Sequence, residues 1–511
     1  MTAQSHSQSA EPEIAPSGGA LLSVFTVILA VVAVLQALVF LMHSWGCIRF
    51  PYQLDYGEGP ILQIALRVAR GEEMYPTALT GYPYVIVSYM PGYYLLSALG
   101  VRIAGPSFLA GRLISCLATL TIALCAALTV WEWTKHRFAS FLAGAIILAI
   151  PQFLVWGNLM RADVPAHAFS LAGFYLFQRG RRRAGVLAMA LGIFTRRTNI
   201  AAIAATVAGV WMKRGWRAAF QVAIAQGLLI AGLLGASVAL TRGGLYKQLS
   251  WHTASSVGGA WTWQQVWLIL SVAVREWPAY FLLAAAGAIW CVLRPERRAL
   301  FVYFAVSGGL FLTVGRIGSS QNYLLEPLAV GAIMTGVLWA DLSRRVSRLR
   351  PVLLLVAGIL ALQWIWTDLH LPHTISLLRP EASPTAGRLV VDRIAAAGGP
   401  VLCEDVGLNL LAGEEVPIQP FEFTQMAKAG VLDPTPVYED ARQGRFPLIV
   451  LRFNPRDIQG HRPGEDWVCG RWPDGIISAV MEHYRLDDQR VPPYLIYVPK
   501  GSTDAESSLG D

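Results

Sequence analysis

The feature that most constrains this chain is an alternation of long apolar runs with short arginine-rich turns. A helix needs about 20 mostly apolar residues to cross the hydrocarbon of a bilayer. Eleven runs reach or approach that length: 21–43, 107–131, 138–156, 164–178, 184–195, 199–212, 218–240, 278–293, 299–314, 321–341 and 351–368. Only 14% of the 511 residues are charged, against roughly 25% in soluble domains. The pattern predicts a polytopic α-helical membrane protein of 11 spans. The first 20 residues hold no Lys or Arg and so lack the basic start of a signal peptide; the run 21–43 is expected to remain as a helix. The segment 91–105, with Gly92 and Gly100, is too short to cross and is expected to lie at the interface.

The basic turns set the orientation. Lys135/Arg137, Arg179/Arg181/Arg182/Arg183, Lys213/Arg214/Arg217, Arg294/Arg297/Arg298 and Arg344/Arg345/Arg348/Arg350 place 16 positive charges in five turns. All fall on the cytoplasmic side if the N-terminus is inside, as the positive-inside rule asks. The outer side then receives LDYGEG (54–59) in the loop 44–106, NLMRADVP (158–165), FTRRTN (194–199), the loop 241–277, GRIGSSQNY (315–323) and everything after residue 368. The net charge of +8 could suggest nucleic acid as a partner, but basic clusters between apolar runs are topology signals, so no nucleic acid is expected.

Charge also divides the chain. Residues 1–368 carry +15 and residues 369–511 carry −7. Strand-like runs VLCED (401–405), PLIVL (447–451) and YLIYVP (494–499) alternate with helical spacing in TQMAKAG, TPVYEDARQGRF and IISAVMEHYRL. The expected organisation is a disordered cytoplasmic tail (1–20), a transmembrane body (21–368), an extracytoplasmic α/β domain (369–500) and a disordered end (501–511). Six cysteines show no CxxC and no metal spacing; Cys403 and Cys469 both fall in the tail, where a pairing stays open.

Three outer motifs carry candidate chemistry. In LDYGEG, Asp55 and Glu58 share one face if the first helix runs past them, and the glycines allow close approach to a ligand; a solvated loop is the bland alternative. In RADVPAH, Arg161 and Asp163 precede Pro165, so Asp163 could equally cap a helix and His167 could be a satisfied core residue. In FTRRTN, Arg196 and Arg197 lie where the topology rule disfavours positive charge. They either bind phosphate in forked geometry or snorkel to head groups. Arg316, with Asn322 and Tyr323, repeats the theme.

Taken in order, the acidic motif after the first span, the long outer loop ending in MPGYYLL, GRL at 111–113, R-x-D at 161–163 and the T-R-x-T turn at 195–198 resemble the membrane-embedded GT-C glycosyltransferases. That superfamily includes protein O-mannosyltransferases, lipid A aminoarabinose transferase and bacterial mannosyl- and arabinosyltransferases. The resemblance covers roughly residues 21–370; the tail resembles the C-terminal part of some bacterial members and brings no activity with it. It implies transfer of one sugar from a polyprenyl-phosphate donor to a glycan, lipid or protein acceptor on the extracytoplasmic side of the cell membrane. Asp55 matches the acid that acts as base or holds the acceptor, Asp163 the second-loop acid, and Arg196 or Arg197 the cation that meets the donor phosphate, with Arg316 as a further candidate. Arg161, His167, Asn322 and Tyr323 are the expected substrate contacts. The family's adjacent Asp-Glu pair is here spaced as D-Y-G-E, which leaves the catalytic part of Glu58 open. No D-x-D is present; no cofactor is expected with certainty, and divalent-metal use stays open. A transporter or lipid flippase of envelope precursors is the alternative, but the halves show no symmetry and the distinctive charges sit in outer loops rather than at mid-membrane.

Overall fold

Apolar side chains that recur all round a segment can be buried only by other helices or by lipid, and each of the eleven runs is helical in the computed structural model. The structure describes residues 17–258, 261–316, 318–344, 346–378, 383–458 and 469–501; the ends expected to be disordered lie almost wholly outside these residues. The body runs α1 (Ser17–Arg49), α2 (Glu58–Ala69), α3 (Pro91–Ala104), α4 (Leu109–Thr134), α5 (Arg137–Ala149), α6 (Pro151–Trp156), α7 (Asp163–Gln178) and α8 (Arg182–Thr195). It continues with α9 (Ala201–Arg214), α10 (Trp216–Leu240), α11 (Gly244–Gly258), α12 (Trp263–Glu276), α13 (Pro278–Val292), α14 (Arg298–Phe311), α15 (Leu325–Ser343) and α16 (Val346–Leu378).

Among the described residues, five helices are long and apolar enough to cross a membrane, and six if the pair α12–α13, bent by 98°, counts as one. The sequence treats 138–156 as one span; Pro151 splits it into α5 and α6, since a proline cannot donate to the preceding turn. The outer loop 241–277 proves to be helical as α11 and α12. The segment 91–105 is the single helix α3, in which Gly92 does not interrupt the chain but lets it approach Phe194, whose carbonyl oxygen lies 2.8 Å from where a Cβ would stand. Helices α7, α8 and α9 hold 16, 14 and 14 residues, or roughly 21–24 Å at 1.5 Å per residue. They are shorter than the roughly 30 Å of a bilayer's hydrocarbon, and Asp163, Thr195 and Arg196 at their ends are buried in the bundle.

Helix α15 is the centre of the body, buried on every side from Leu325 to Ala340. At the opposite extreme, α10 buries only Ala219, Gln226 and Ser237. The two ends of α4 define the axis of the molecule. Its last carbonyls, on Trp133 and Thr134, accept hydrogen bonds from Arg297 and Arg344, two of the basic-turn residues, as the negative end of a helix favours. Its first turn carries Arg112, which is wholly buried under the outer loop.

The tail is an α/β unit with helices α17 (Pro384–Ala395), α18 (Gly407–Leu411), α19 (Pro420–Lys428), α20 (Thr435–Arg442) and α21 (Asp474–His483). Its sheet comprises β1 (Leu402–Cys403), β2 (Ile449–Leu451), β3 (Tyr484–Leu486) and β4 (Leu495–Pro499), in the order β1-β2-β4-β3. β1 and β2 are parallel, and the other pairs are antiparallel. The sequence reads Tyr484–Leu486 as the end of a helix; it is an edge strand instead, because Tyr484 turns extended and pairs with Pro499. Cys403 is a free, buried thiol, and the side chain of Cys469 lies outside the described residues. The tail shares its core with the body: Phe423 and Met426 of α19 pack in one apolar cluster with Tyr84 and Ile86 of the outer loop. The Tyr84 amide donates to the Pro417 carbonyl at 2.9 Å.

Candidate functional site

Glu58 organises the outer loop. Helix α1 stops at Arg49 and α2 begins at Glu58, so Asp55 and Glu58 do not share a helix face as a longer first helix would require. The Glu58 carboxylate accepts from Arg112 Nε at 2.9 Å and Nη2 at 2.7 Å, from the Leu54 amide at 2.6 Å and from the Met160 amide at 2.7 Å. The remaining guanidinium protons of Arg112 go to the carbonyls of Cys47, Phe50 and Tyr52. Both side chains are fully buried, and a buried ion pair persists only when saturated in this way. Glu58 therefore does not reach the cavity described next; it ties the loop holding Asp55 to the turn holding Arg161.

Beyond that anchor lies a cavity of about 640 Å³, walled by the loop after α1, the turns before α7, after α8 and before α15, and the first turn of α19. Asp55, Arg161, Asp163, Arg196, Arg197, Arg316, Asn322 and Tyr323 all line it. The residues form a chain of alternating charge. Arg161 Nη1 lies 3.0 Å from Asp55 Oδ1 and Arg161 Nε lies 3.8 Å from Asp163 Oδ2, so one guanidinium spans both acids. Arg196 Nε lies 3.2 Å from Asp163 Oδ1, to which Asn322 Nδ2 also donates at 2.7 Å. Arg161 stacks over Trp156 at 5.3 Å and Arg196 over Tyr323 at 4.6 Å. Burial works against the charge of Arg161, yet Tyr89, Asp55, Asp163 and Glu422 outweigh it and hold its pKa above the ordinary value. His167 lies behind the cavity rather than in it, with Nε2 3.4 Å from Arg196 Nη1 and Nδ1 3.0 Å from Asn199 Nδ2.

Two cations have no such partner. Arg197 and Arg316 are both exposed within the cavity, and among the described residues neither forms an ion pair. Burial lowers the pKa of Arg197, Tyr323 counters it, and the charges of Arg316 and Arg196 press it down further. Guanidinium groups so placed can take a phosphate or carboxylate in forked geometry.

The glycines of LDYGEG are explained by close approach. A Cβ on Gly57 would sit 1.4 Å from Arg161 Nη1, and one on Gly59 would meet the Gly407 amide at 2.8 Å. Asp55 Oδ1 accepts from Arg161 and from the Gly57 amide at 3.0 Å each, which leaves Oδ2 toward the cavity. Among the described residues no three His, Cys, Asp or Glu side chains are grouped to hold a metal ion.

No protein-family model matches the chain, and no curated protein matches it by sequence. Solved structures do match. ArnT from Cupriavidus metallidurans bound to undecaprenyl phosphate is similar at 14% identity and TM-score 0.60, over 92% of this chain and 98% of that one. The apo state of that protein gives 13% identity, TM-score 0.60, and coverage of 91% and 97%. The oligosaccharyltransferase AglB from Archaeoglobus fulgidus, in complex with an inhibitory peptide and a dolichol-phosphate, gives 10% identity, TM-score 0.55, and coverage of 89% and 72%.

The chain shares the fold of ArnT and AglB.

Sequence reasoning found the turns of the body that line the cavity but missed what the tail adds to it: Phe421, Glu422, Gln425 and Met426 of α19. Tyr56, inside LDYGEG, holds them in place. Its hydroxyl donates to Glu422 Oε2 at 2.9 Å and accepts from the Phe421 amide at 2.9 Å. The ring lies 4.7 Å beneath the Arg471 guanidinium, which in turn pairs with Glu404 at 2.9 Å. The only sequence signal was the Tyr between two acids; its partners lie some 366 positions away. Tyr89, His252 and Gln265 also line the cavity without having been singled out.

Proposed function

We propose that this chain is a glycosyltransferase that moves a single sugar from a polyprenyl-phosphate donor to an acceptor on the extracytoplasmic face of the membrane. The observation that carries the reading is one cavity holding both a partly open carboxylate, Asp55, and an arginine pair without counter-ions, Arg197 and Arg316. The fold shared with proteins solved bound to undecaprenyl phosphate and in complex with a dolichol-phosphate supports it. The basic turns that meet at the far end of α4 support a cytoplasmic N-terminus, up to eleven crossings, and a cavity and tail that face outward.

In this reading Asp55 Oδ2 takes the proton of the acceptor hydroxyl as its oxygen attacks the anomeric carbon. The bond from that carbon to the phosphate oxygen breaks with its electron pair on the phosphate. One displacement inverts the anomeric centre. Arg197 and Arg316 stabilise the departing phosphate, an electrostatic contribution that commonly dominates catalysis. Arg161 positions Asp55. Asp163, itself fixed by Asn322, holds Arg196, while His167 backs it, so Arg196 supports the phosphate site from behind.

The test is transfer from a radiolabelled polyprenyl-phosphate sugar by the purified chain. Asp55→Asn should lose nearly all turnover while retaining the fold. Arg197→Lys should lose roughly tenfold, about 1.4 kcal/mol, because an ammonium cannot reproduce the guanidinium fork. Wild-type rates in both variants would remove the reading.

A further inference from the structure

The cavity is lined by unpaired groups of both signs. Arg197 and Arg316 are the positive ones. Glu422 enters the same cavity from the tail, where its charge and that of Asp55 both act on Arg161, and the Tyr56 hydroxyl, one residue after Asp55, is bonded to it. Among the described residues Glu422 forms no ion pair, and Tyr56 is the only side chain that donates to it, at one oxygen. The acid is also rigidly presented. The Thr424 hydroxyl, two residues on, lies 2.7 Å from both the Pro420 and Arg471 carbonyl oxygens and shares its proton between them, and Phe423 is fully buried in the tail core. Burial raises the Glu422 pKa, while Tyr56, its own backbone amide, Arg161 and Arg471 pull it back.

A recessed carboxylate with one occupied oxygen accepts a hydrogen bond from whatever fills the space beside it. We propose that Glu422 reads the acceptor: it takes a hydrogen bond from a hydroxyl next to the one that Asp55 deprotonates, and so selects an uncharged polyol head group, a glycan or glycolipid sugar, over a phosphorylated or carboxylated one. The second half of the argument is charge. Asp55 is already paired with Arg161, so Glu422 adds an uncompensated negative charge to the space around it, and an anionic acceptor would meet repulsion there. Phe421 offers an aromatic edge in the same turn. The inference rests on the proposed sugar transfer, since it names the acceptor of that reaction.

The test is equilibrium binding of two radiolabelled probes, methyl α-glucoside and its 6-phosphate, to the full chain in lipid nanodiscs, with undecaprenyl phosphate binding measured in parallel. The neutral sugar should bind at least tenfold more tightly than the phosphorylated one. Glu422→Gln should weaken the neutral sugar about tenfold and narrow the discrimination, without changing undecaprenyl phosphate binding. Tyr56→Phe, which removes only the hydroxyl that holds Glu422, should move both in the same direction by less. Arg197→Ala should do the reverse, weakening the lipid phosphate and sparing the sugar. A phosphorylated probe that binds as well as the neutral one, a Glu422→Gln chain with unchanged discrimination, or no sugar binding at all would overturn the proposal. If the sugars behave as stated but undecaprenyl phosphate does not bind, the acceptor inference stands and the donor reading falls.

Discussion

Gly57→Ala should break the site without breaking the fold. Gly57 has φ −72° and ψ −10°, a helical conformation open to alanine, so the backbone carries no penalty. The new methyl would lie 1.4 Å from Arg161 Nη1 and 2.6 Å from its Cζ. Arg161 must therefore leave, and with it the 3.0 Å contact to Asp55 and the stacking over Trp156 at 5.3 Å. The pair is 16% and 33% exposed. A charge-assisted hydrogen bond of about 1.5–3 kcal/mol in a buried setting is thus discounted toward about 1 kcal/mol, and lost cation–π stacking adds about 0.5–1 kcal/mol. The single variant should lose about 1.5–2 kcal/mol of stability on those two contributions. Once Arg161→Ala has emptied the space, the same Gly57→Ala change should be neutral or should stabilise by about 0.4–1 kcal/mol through the unfolded chain. A double-mutant cycle on thermal unfolding of the purified protein measures the difference. Additive single effects would refute the claim that Gly57 exists to admit Arg161.

Glu58→Ala leaves Arg112 charged and buried among carbonyls, and should cost about 3–5 kcal/mol and much of the folded yield; a melting profile like the wild type would show that Glu58 is not the anchor. Asp405, fully buried and held by Gln53 and Tyr494 at 2.8 and 3.1 Å, has its pKa pushed up to about 7 by burial and then by Glu404. The folded protein then holds the proton more tightly than the unfolded chain, so this contribution to stability is complete below pH ~4 and is lost as pH rises to ~7, by up to about 1.4 kcal/mol per unit. Pulse proteolysis of the tail between pH 5 and 8 should follow that slope, and Asp405→Asn should flatten it. Glu482 is 67% exposed on the tail; a cysteine placed there should react with a membrane-impermeant maleimide in intact cells, and protection until lysis would invert the orientation.

Local pattern carried the body because membrane helices are specified by their own residues: length, apolarity and flanking charge are all readable within 25 positions. The outer turns were legible for the same reason, as charges where none should be. What the sequence could not separate was Asp55 from Glu58. Three residues apart, one faces the cavity and the other is sealed against Arg112, 54 positions downstream; the choice depends on a partner that no local window contains. The contribution of Glu422 was hidden in the same way, by a contact between the two ends of the chain. Span count was harder because α7, α8 and α9 are too short to cross alone, and periodicity does not report depth. Tyr484–Leu486 was missed because an edge strand follows α21 with no Gly or Pro between them.

The four outer arginines sort themselves by partner. Snorkelling needs a path from the guanidinium to a head group, and it needs no acid. Arg161 and Arg196 fail that description, since each lies against Asp163 and stacks on an aromatic ring inside the cavity. Their charge is already balanced, and an incoming phosphate would have to compete with a carboxylate for them. Arg197 and Arg316 are different: they line the same cavity, yet no carboxylate is supplied for either among the described residues. Two like charges held near one another beside a neutralised pair cost free energy when the site is empty; a phosphodiester donor returns part of that cost with its single negative charge, and the departing phosphate, which gains a second, returns more. The sequence offered Arg196 and Arg197 as equals; the pairing of Arg196 with Asp163 breaks the tie, and under the proposed reading the donor phosphate goes to the arginines that lack a carboxylate among the described residues.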